Sequence, residues 1–482
     1  MNYKMIRLII GRIMCIEALF MVPPVVISIA EGDGRGALSF LAAIALLACI
    51  GLPMAVKKAG KKLFYAREGF VTVGLSWIIV SAFGAVPFYV SGAVSSFVDC
   101  FFESVSGFTT TGATVLKDVE ALSTGLLYWR SFTHWLGGMG VLVFVLAIMP
   151  LTKASGETMH LLRAESPGPL VGKLVPRMHR SAMILYGIYI ALTVLQILLM
   201  LAGGNRVLDS VLLTFSTAGT GGFAIRNDSL ASYSAYTQIL ITIFMLLFSI
   251  NFNMFYFLLM RDFKRVLGNE ELRVFLLIIA VSITIITINV MPLFETVGEA
   301  LRQSAFTVSA VISTTGFASG DFNVWPQLSR HIILMLMMIG ACAGSTGGGI
   351  KVMRFLIMIK SMGKAVVRAL HPNSVKLIHI QGEVLDEDAV NAVSGYMIVY
   401  FGIAAASLLL LSLDGLDVET NLTAVLACLN NAGPGFGELI GPIGNYSGFS
   451  APAKLLLSAN MLIGRLEIYP ILVLLTPSVW KR

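Results

Sequence analysis

Apolar residues in this chain come in long runs, cut by short polar or glycine-rich stretches. Runs at 5–30 and 37–56 turn at Glu31-Gly32-Asp33-Gly34-Arg35. About 20 apolar residues suffice to cross a bilayer as a helix, so these runs predict a hairpin of two spans. A third span at 69–90 is followed by a shorter run at 95–108 and a return at 126–151. The same order then repeats three times. It runs 182–202, 207–218 and 236–260, then 272–293, 300–313 and a span from 332 onwards, then 389–413, 419–430 and 451–476.

A small-residue loop follows each short run. The first is Ser106-Gly107-Phe108-Thr109-Thr110-Thr111-Gly112-Ala113-Thr114, and the second is Ser216-Thr217-Ala218-Gly219-Thr220-Gly221-Gly222-Phe223. The third is Ser313-Thr314-Thr315-Gly316-Phe317-Ala318, and the fourth is Asn430-Asn431-Ala432-Gly433-Pro434-Gly435-Phe436. They lie roughly 100 residues apart, the period of an internal repeat. Irregular backbone at membrane depth is tolerated only inside protein or along a watery path. Four such loops on one axis would make rings of carbonyls of the kind that replace a cation's hydration shell. The short runs cannot span, so they read as re-entrant half-helices whose C-terminal dipole ends favour a cation. The plainer alternative is four amphipathic external helices with ordinary turns. Recurrence at one place in every unit argues against it.

Composition agrees with a membrane solvent. The chain has 482 residues, 56% hydrophobic and only 13% charged, with a mean hydropathy of +0.84; soluble domains carry roughly 25% charged residues. The net charge of +7 reflects topology before any nucleic-acid partner. Lys57, Lys58, Lys61, Lys62 and Arg67 follow the hairpin, and Lys153, Arg163, Lys173, Arg177 and Arg180 follow the first return. Arg261, Lys264, Arg265 and Arg273 come next, then Lys351, Arg354, Lys360, Lys364, Arg368 and Lys376, then Lys481 and Arg482. All fall on one side of this tracing, which makes that side and both termini cytoplasmic. The five cysteines are scattered without CxxC spacing, as expected of free thiols. The first run lacks a small-residue cleavage site and is expected to be retained as a span.

The expected fold is an all-α polytopic membrane protein. It divides into an N-terminal hairpin with its basic loop (1–68) and four pseudo-repeats of helix, re-entrant pore helix, filter loop and helix (69–180, 181–271, 272–388 and 389–482).

Specific motifs fill this frame. Besides the first loop there are Trp129-Arg130-Ser131-Phe132, Trp135-Leu136-Gly137-Gly138-Met139-Gly140 and Ala343-Gly344-Ser345-Thr346-Gly347-Gly348-Gly349-Ile350-Lys351. His371-Pro372-Asn373 and Asn431-Ala432-Gly433-Pro434-Gly435 complete the set. On these residues the whole chain resembles the Trk/Ktr/HKT superfamily of potassium transporters, and within it the bacterial TrkH/TrkG subunits. The initial hairpin favours that subunit over the shorter Ktr one.

The resemblance implies a single chain folded like a potassium-channel tetramer in a bacterial inner membrane, conducting K+ as the transported ion with no organic cofactor. It implies a filter with Gly112, Gly221, Gly316 and Gly433 at the central glycine positions. Thr110, Thr111, Gly219, Thr220, Thr314, Thr315, Asn431 and Ala432 supply the flanking carbonyls. It implies an obstructing intramembrane loop at Gly344, Ser345, Thr346, Gly347, Gly348 and Gly349, and Arg465 as an electrostatic barrier below the filter. It further implies a homodimer on a cytosolic TrkA-type nucleotide-binding ring, docked on the basic loops 153–180, 261–273 and 351–376. The positive-inside rule accounts for those charges without a partner.

From the residues alone, the glycine loop at 344–349 is more than a helix kink needs, since glycines permit unwinding. It lacks the Gly-Lys-Ser/Thr end of a phosphate loop. Arg465 falls near the middle of the last span, and a central arginine costs at least ~2.5–3.5 kcal/mol on insertion scales. It therefore needs a wet cavity or a partner; a structural ion pair is the competing role. Glu467, two residues on, does not face it on a helix. Glu103, Asp99, Asp209 and Glu419 sit at or near half-helix starts, either gathering cations or capping N-termini. Trp129 and Trp135 read as interface or packing aromatics. His134 stands where that family is expected to have glutamine and receives no role. His160, His179, His371 and His379 lack metal-ligand spacing.

No nucleotide fingerprint and no convincing His/Asp/Glu constellation appears, so an enzyme is not expected. The remaining rival is a secondary symporter coupling K+ to Na+ or H+. It would need acids buried at mid-membrane, and the spans show almost none.

Overall fold

The computed structural model describes residues 1–56, 66–140, 178–373 and 377–480. Among the described residues six helices are long and apolar enough to cross a membrane: Tyr3–Ala30, Gly34–Val56, Arg67–Val90, Met183–Ala202, Glu270–Leu293 and Glu387–Asp414. The first two form the expected hairpin. Asn2 caps its start through Met5 N–H, and Asp33 closes its turn through Gly36 N–H at 2.9 Å.

The short runs form helices Phe97–Phe108, Val207–Ala218, Val297–Ile312 and Val418–Leu429, and each ends where its glycine loop begins. Their starts are local. Thr296 and Asp417 accept Glu299 N–H and Thr420 N–H, each satisfying one backbone donor of the first turn.

The return helices differ most from expectation. They span Thr124–Gly138, Ala235–Ser249, Gln327–Ile339 and Ala451–Arg465, and none continues as one straight span. The run 236–260 bends by 92° between Ser249 and Phe252, where Asn251 starts a new helix by capping Asn253 N–H. The third breaks at Gly340 (φ +71°), four residues before the glycine cluster, and resumes at Val352. The fourth breaks after Arg465, with Glu467 and Ile468 at φ +51° and +74°. Arg465 is therefore at a helix end, not mid-helix. In the first unit the helix stops at Gly138, and 141–151 lies outside the described residues, as do most of the loops 57–65 and 153–180. Hydropathy averaged over a span cannot register such breaks, because one or two polar residues among apolar ones also suit a continuous helix.

One apolar cluster joins the hairpin (Ile13, Phe40) to the first and fourth units (Trp129, Leu457). Others join the third unit to the fourth (Phe275, Met337, Leu426) and the second to the third (Phe248, Phe306). Trp129 is fully buried and donates to Gly84 O, and Trp135 donates to Thr193, so both are packing residues. A two-residue hairpin pairs His379–Ile380 with Glu383–Val384, antiparallel, beyond the third unit's last helix.

Candidate functional site: a closed ring of four loops

Each half-helix ends in the same bond sequence. Thr109, Gly219, Ser313 and Asn430 still bond four residues back. Thr110, Thr220, Thr314 and Asn431 bond three back and turn left-handed, with φ of 55°, 53°, 57° and 54°. Thr111, Gly221, Thr315 and Ala432 then reach back five residues, to Ser106, Ser216, Ala310 and Ala427. The next residue is a left-handed glycine in every loop: Gly112, Gly222, Gly316 and Gly433, at φ 81°, 77°, 80° and 85°. In the second loop this position is thus Gly222, and Gly221 corresponds to Thr111 and Thr315. The offset of six residues from Ser106 to Gly112 and from Ser216 to Gly222 carries that register in the sequence.

Alternation of left- and right-handed residues points successive peptide groups to one side. A threonine at positive φ costs on the order of 1–3 kcal/mol. Three of the four loops accept that cost at one position, which marks it as constrained by something other than stability.

The loops also touch in order. A methyl group at Gly112 would meet the carbonyl oxygen of Gly221; at Gly222, that of Thr315; at Gly316, that of Ala432; at Gly433, that of Thr111. One to two, two to three, three to four and four to one is a closed ring. Only glycine allows such approaches, both for φ and for space. All four glycines line one cavity of about 260 Å³ on the side away from the half-helices.

Behind the ring, buried groups lock the loops together. Arg130 donates to Glu103 at 2.7 Å and to Ala224 O at 2.8 Å, and its guanidinium lies 3.5 Å from the Phe223 ring centre. Glu103 also accepts Thr114 OH and Val115 N–H, both at 3.0 Å. Loops one and two are thereby tied, and breaking such a buried pair costs about 3–5 kcal/mol. Tyr446 closes loop four on loop one, donating its OH to Gly433 O (2.8 Å) and its N–H to Thr114 O (2.7 Å). Asn431 Nδ2 donates to Thr111 Oγ1 at 2.9 Å.

The other acids at the half-helices are ion-paired as well. Asp99 meets Lys454 at 2.8 Å, Asp209 meets Arg226 at 3.6 Å, and Glu419 meets Arg330. Among the described residues none accepts a capping bond, so the capping role gives way to ion pairing between elements. Arg130 was legible as a lone charge in an apolar run.

Residues 340–351 pass under loops three and four. Gly348 N–H donates to Thr314 Oγ1 at 2.6 Å, and Gly349 N–H donates to Asn430 O at 2.9 Å. A methyl at Gly347 would lie 2.8 Å from Ser313 O. Thr346 OH donates to Phe248 O, at the bend of the second unit. Glu271, buried at the start of its span, accepts both Ala343 N–H (2.7 Å) and Met353 N–H (3.2 Å), holding the two flanks of the loop. Lys351 donates to Gly347 O. Arg465 donates to Thr346 O and Gly138 O, both at 2.8 Å, and to Gly137 O, so it joins the glycine loop to the end of the first return helix. Three of its partners are carbonyls, and its guanidinium lies 6.0 Å from the Trp77 ring centre. Glu467 pairs with Arg354 instead.

A helical polytopic membrane protein built around a ring of four glycine loops belongs among the membrane transport proteins. The TrkH family model, described as a cation transport protein, matches residues 38–481, and the chain belongs to that family. It is 34% identical to the Trk system potassium uptake protein TrkH of Escherichia coli K12 over the full length of both. It is 30% identical to TrkG of the same strain, again over both full lengths. The crystal structure of the potassium transporter TrkH from Vibrio parahaemolyticus superposes on all of it, with a TM-score of 0.88 at 30% identity.

Proposed function

We propose that this chain is the K+-translocating subunit of a Trk-type uptake system in a bacterial inner membrane. The ring of four loops is the selectivity filter. Carbonyls of Thr110, Thr111, Gly112 and their counterparts in the other loops, with Gly222 in the second, take over the ion's hydration shell. The loop at Gly344–Gly349 and the cation Arg465 are two barriers beneath it. The hairpin and the four repeats divide as 1–68, 69–180, 181–271, 272–388 and 389–482, with both termini cytoplasmic. Two copies assemble, and a TrkA-type nucleotide-binding ring on the basic face controls the lower barrier. The observation that carries this is the cyclic contact of the four left-handed glycines. Relatives named as potassium uptake proteins over the whole length support the choice of ion.

A secondary symporter is the alternative. Glu17 favours it: a buried acid in the first span whose carboxylate oxygens have no hydrogen-bond partner among the described residues. It lies in the hairpin, away from the ring.

Tracer rubidium flux into liposomes holding the full chain decides between them, with sodium and pH gradients varied separately. Passive flux that ignores both gradients and rises in Arg465→Ala supports the gated pore. Flux that requires a sodium or proton gradient replaces it with the symporter.

A further inference from the structure

Four side chains stand at the left-handed position of the loops, and their oxygens are in different states. Thr110 Oγ1 and Asn431 Oδ1 are buried without a hydrogen-bond partner among the described residues. Thr220 OH donates to Gly219 O at 2.6 Å, which leaves its lone pairs open. Thr314 Oγ1 alone accepts a bond from the glycine loop, the Gly348 N–H at 2.6 Å. The loop also takes Asn430 O, one residue before Asn431, through Gly349 N–H. The segment that obstructs the path is thus bonded to the ring it obstructs.

We propose that Thr314 couples the two. This rests on the reading of the ring as filter and of the loop as gate. With the loop in place, Thr314 Oγ1 is committed to Gly348 and anchors the closed state. When the loop withdraws, that oxygen is released toward the ion path, and the innermost cation position gains a further side-chain oxygen beside Thr110 and Thr220. Opening the gate and completing the site are then one event. The same side chain serves opposite ends: its loss opens the gate, and its loss also weakens the site.

The test is rubidium and sodium tracer flux in liposomes of the full chain, in two backgrounds. One is the parent, and the other lacks Gly347–Gly349. Thr314→Val matches threonine in shape, so the left-handed strain is unchanged while the oxygen is gone. In the parent it should raise rubidium flux about fivefold, the factor an ordinary net hydrogen bond carries, and lower the rubidium-to-sodium ratio. In the deletion background, where no loop remains to anchor, it should lower the ratio with no rise in flux. Thr314→Ser, which keeps the oxygen, should fall closer to the parent than Thr314→Val in both readouts. If valine disturbs folding by gel filtration, Thr314→Ala removes the same oxygen and is read in the same way. An equal rise in both backgrounds, an unchanged ratio in the deletion, or no rise in a parent whose deletion does leak would each overturn the coupling. A deletion that itself fails to raise flux would overturn the gate reading beneath it.

Discussion

At the scale of single residues, the second loop solves a space problem differently from the first and third. Where those carry Thr111 and Thr315, it has Gly221, and a methyl there would overlap the imidazole of His134. His134 is fully buried, 4.1 Å from the Phe223 ring centre, and its two ring nitrogens have no hydrogen-bond partner among the described residues. Its ring fills the volume that a threonine side chain fills elsewhere. The sequence offered His134 only as a departure from a motif; its neighbour Gly221 is far away along the chain. Overpacking of this kind costs typically ~1–3 kcal/mol. Gly221→Ala should therefore lower thermal stability in the parent by that order and be tolerated once His134→Ala has emptied the space. Gly222→Ala should stay damaging in both, because it meets the Thr315 carbonyl and a positive φ. Thermal unfolding of the four variants in detergent checks this. Equal damage from Gly221→Ala with and without His134 would refute the exchange.

At the scale of elements, the breaks in the return helices matter more than the helices. Each of the second, third and fourth units uses its break to meet another. Thr346 reaches the bend at Phe248, and Arg465 at the fourth break reaches Thr346 and the end of the first return helix. The glycine loop is held from outside the ring by Glu271, which joins both its flanks to the start of the span Glu270–Leu293. Hydrogen bonds to a charged acceptor are worth about 1.5–3 kcal/mol each. Glu271→Ala should therefore free the loop and raise passive rubidium flux through the chain without any partner, by tenfold or more on that scale. A variant that folds, by gel filtration, and shows parent-level flux would mean that the flanks are held by packing alone. The hydrophobic pattern foretold an interruption at Gly344–Gly349 because glycines cluster there. It gave no sign of the bend at Asn251 or the turn at Glu467, where one polar residue among apolar ones also suits a continuous helix.

At the scale of the molecule, the four units hold one another in a cycle, and the ties continue above the ring. Asn227 of the second unit donates its side-chain amide to Asp118 of the first at 2.8 Å, accepts Val119 N–H, and donates its own N–H to Glu120. The Asn227 amide, with a smaller opposing effect of desolvation, holds the Asp118 carboxyl below its usual range. A depressed folded pKa means that this tie's contribution is present above the ordinary aspartate value of about 3.9 and is lost as pH falls through the lower folded value. Thermal stability should accordingly keep this contribution from neutral pH down to about pH 4. Asp118→Asn, which cannot carry the charge, should be less stable than the parent by a constant offset from neutral pH down to about pH 4, and the two should converge below it. An offset that persists unchanged at the acid end would refute that assignment.

The sequence by itself determined the membrane class, the hairpin, the half-helices and the place of all four loops. Those follow from one-dimensional quantities: the length of apolar runs, the position of glycines and the side on which basic residues fall. It also carried, in the equal offsets from Ser106 and Ser216, the register that assigns Gly222. Only the tertiary structure decided which groups meet: Glu103 with Arg130, His134 with Gly221, Gly348 with Thr314, and Arg465 with the carbonyls of Thr346 and Gly138. Each pair is separated by tens to hundreds of residues, and each is set by how four similar but unequal units close around an axis. Hydrophobicity is non-directional and fixes what is buried. Hydrogen bonds and steric fit fix which buried group faces which, and those depend on positions in space that no single stretch of chain contains.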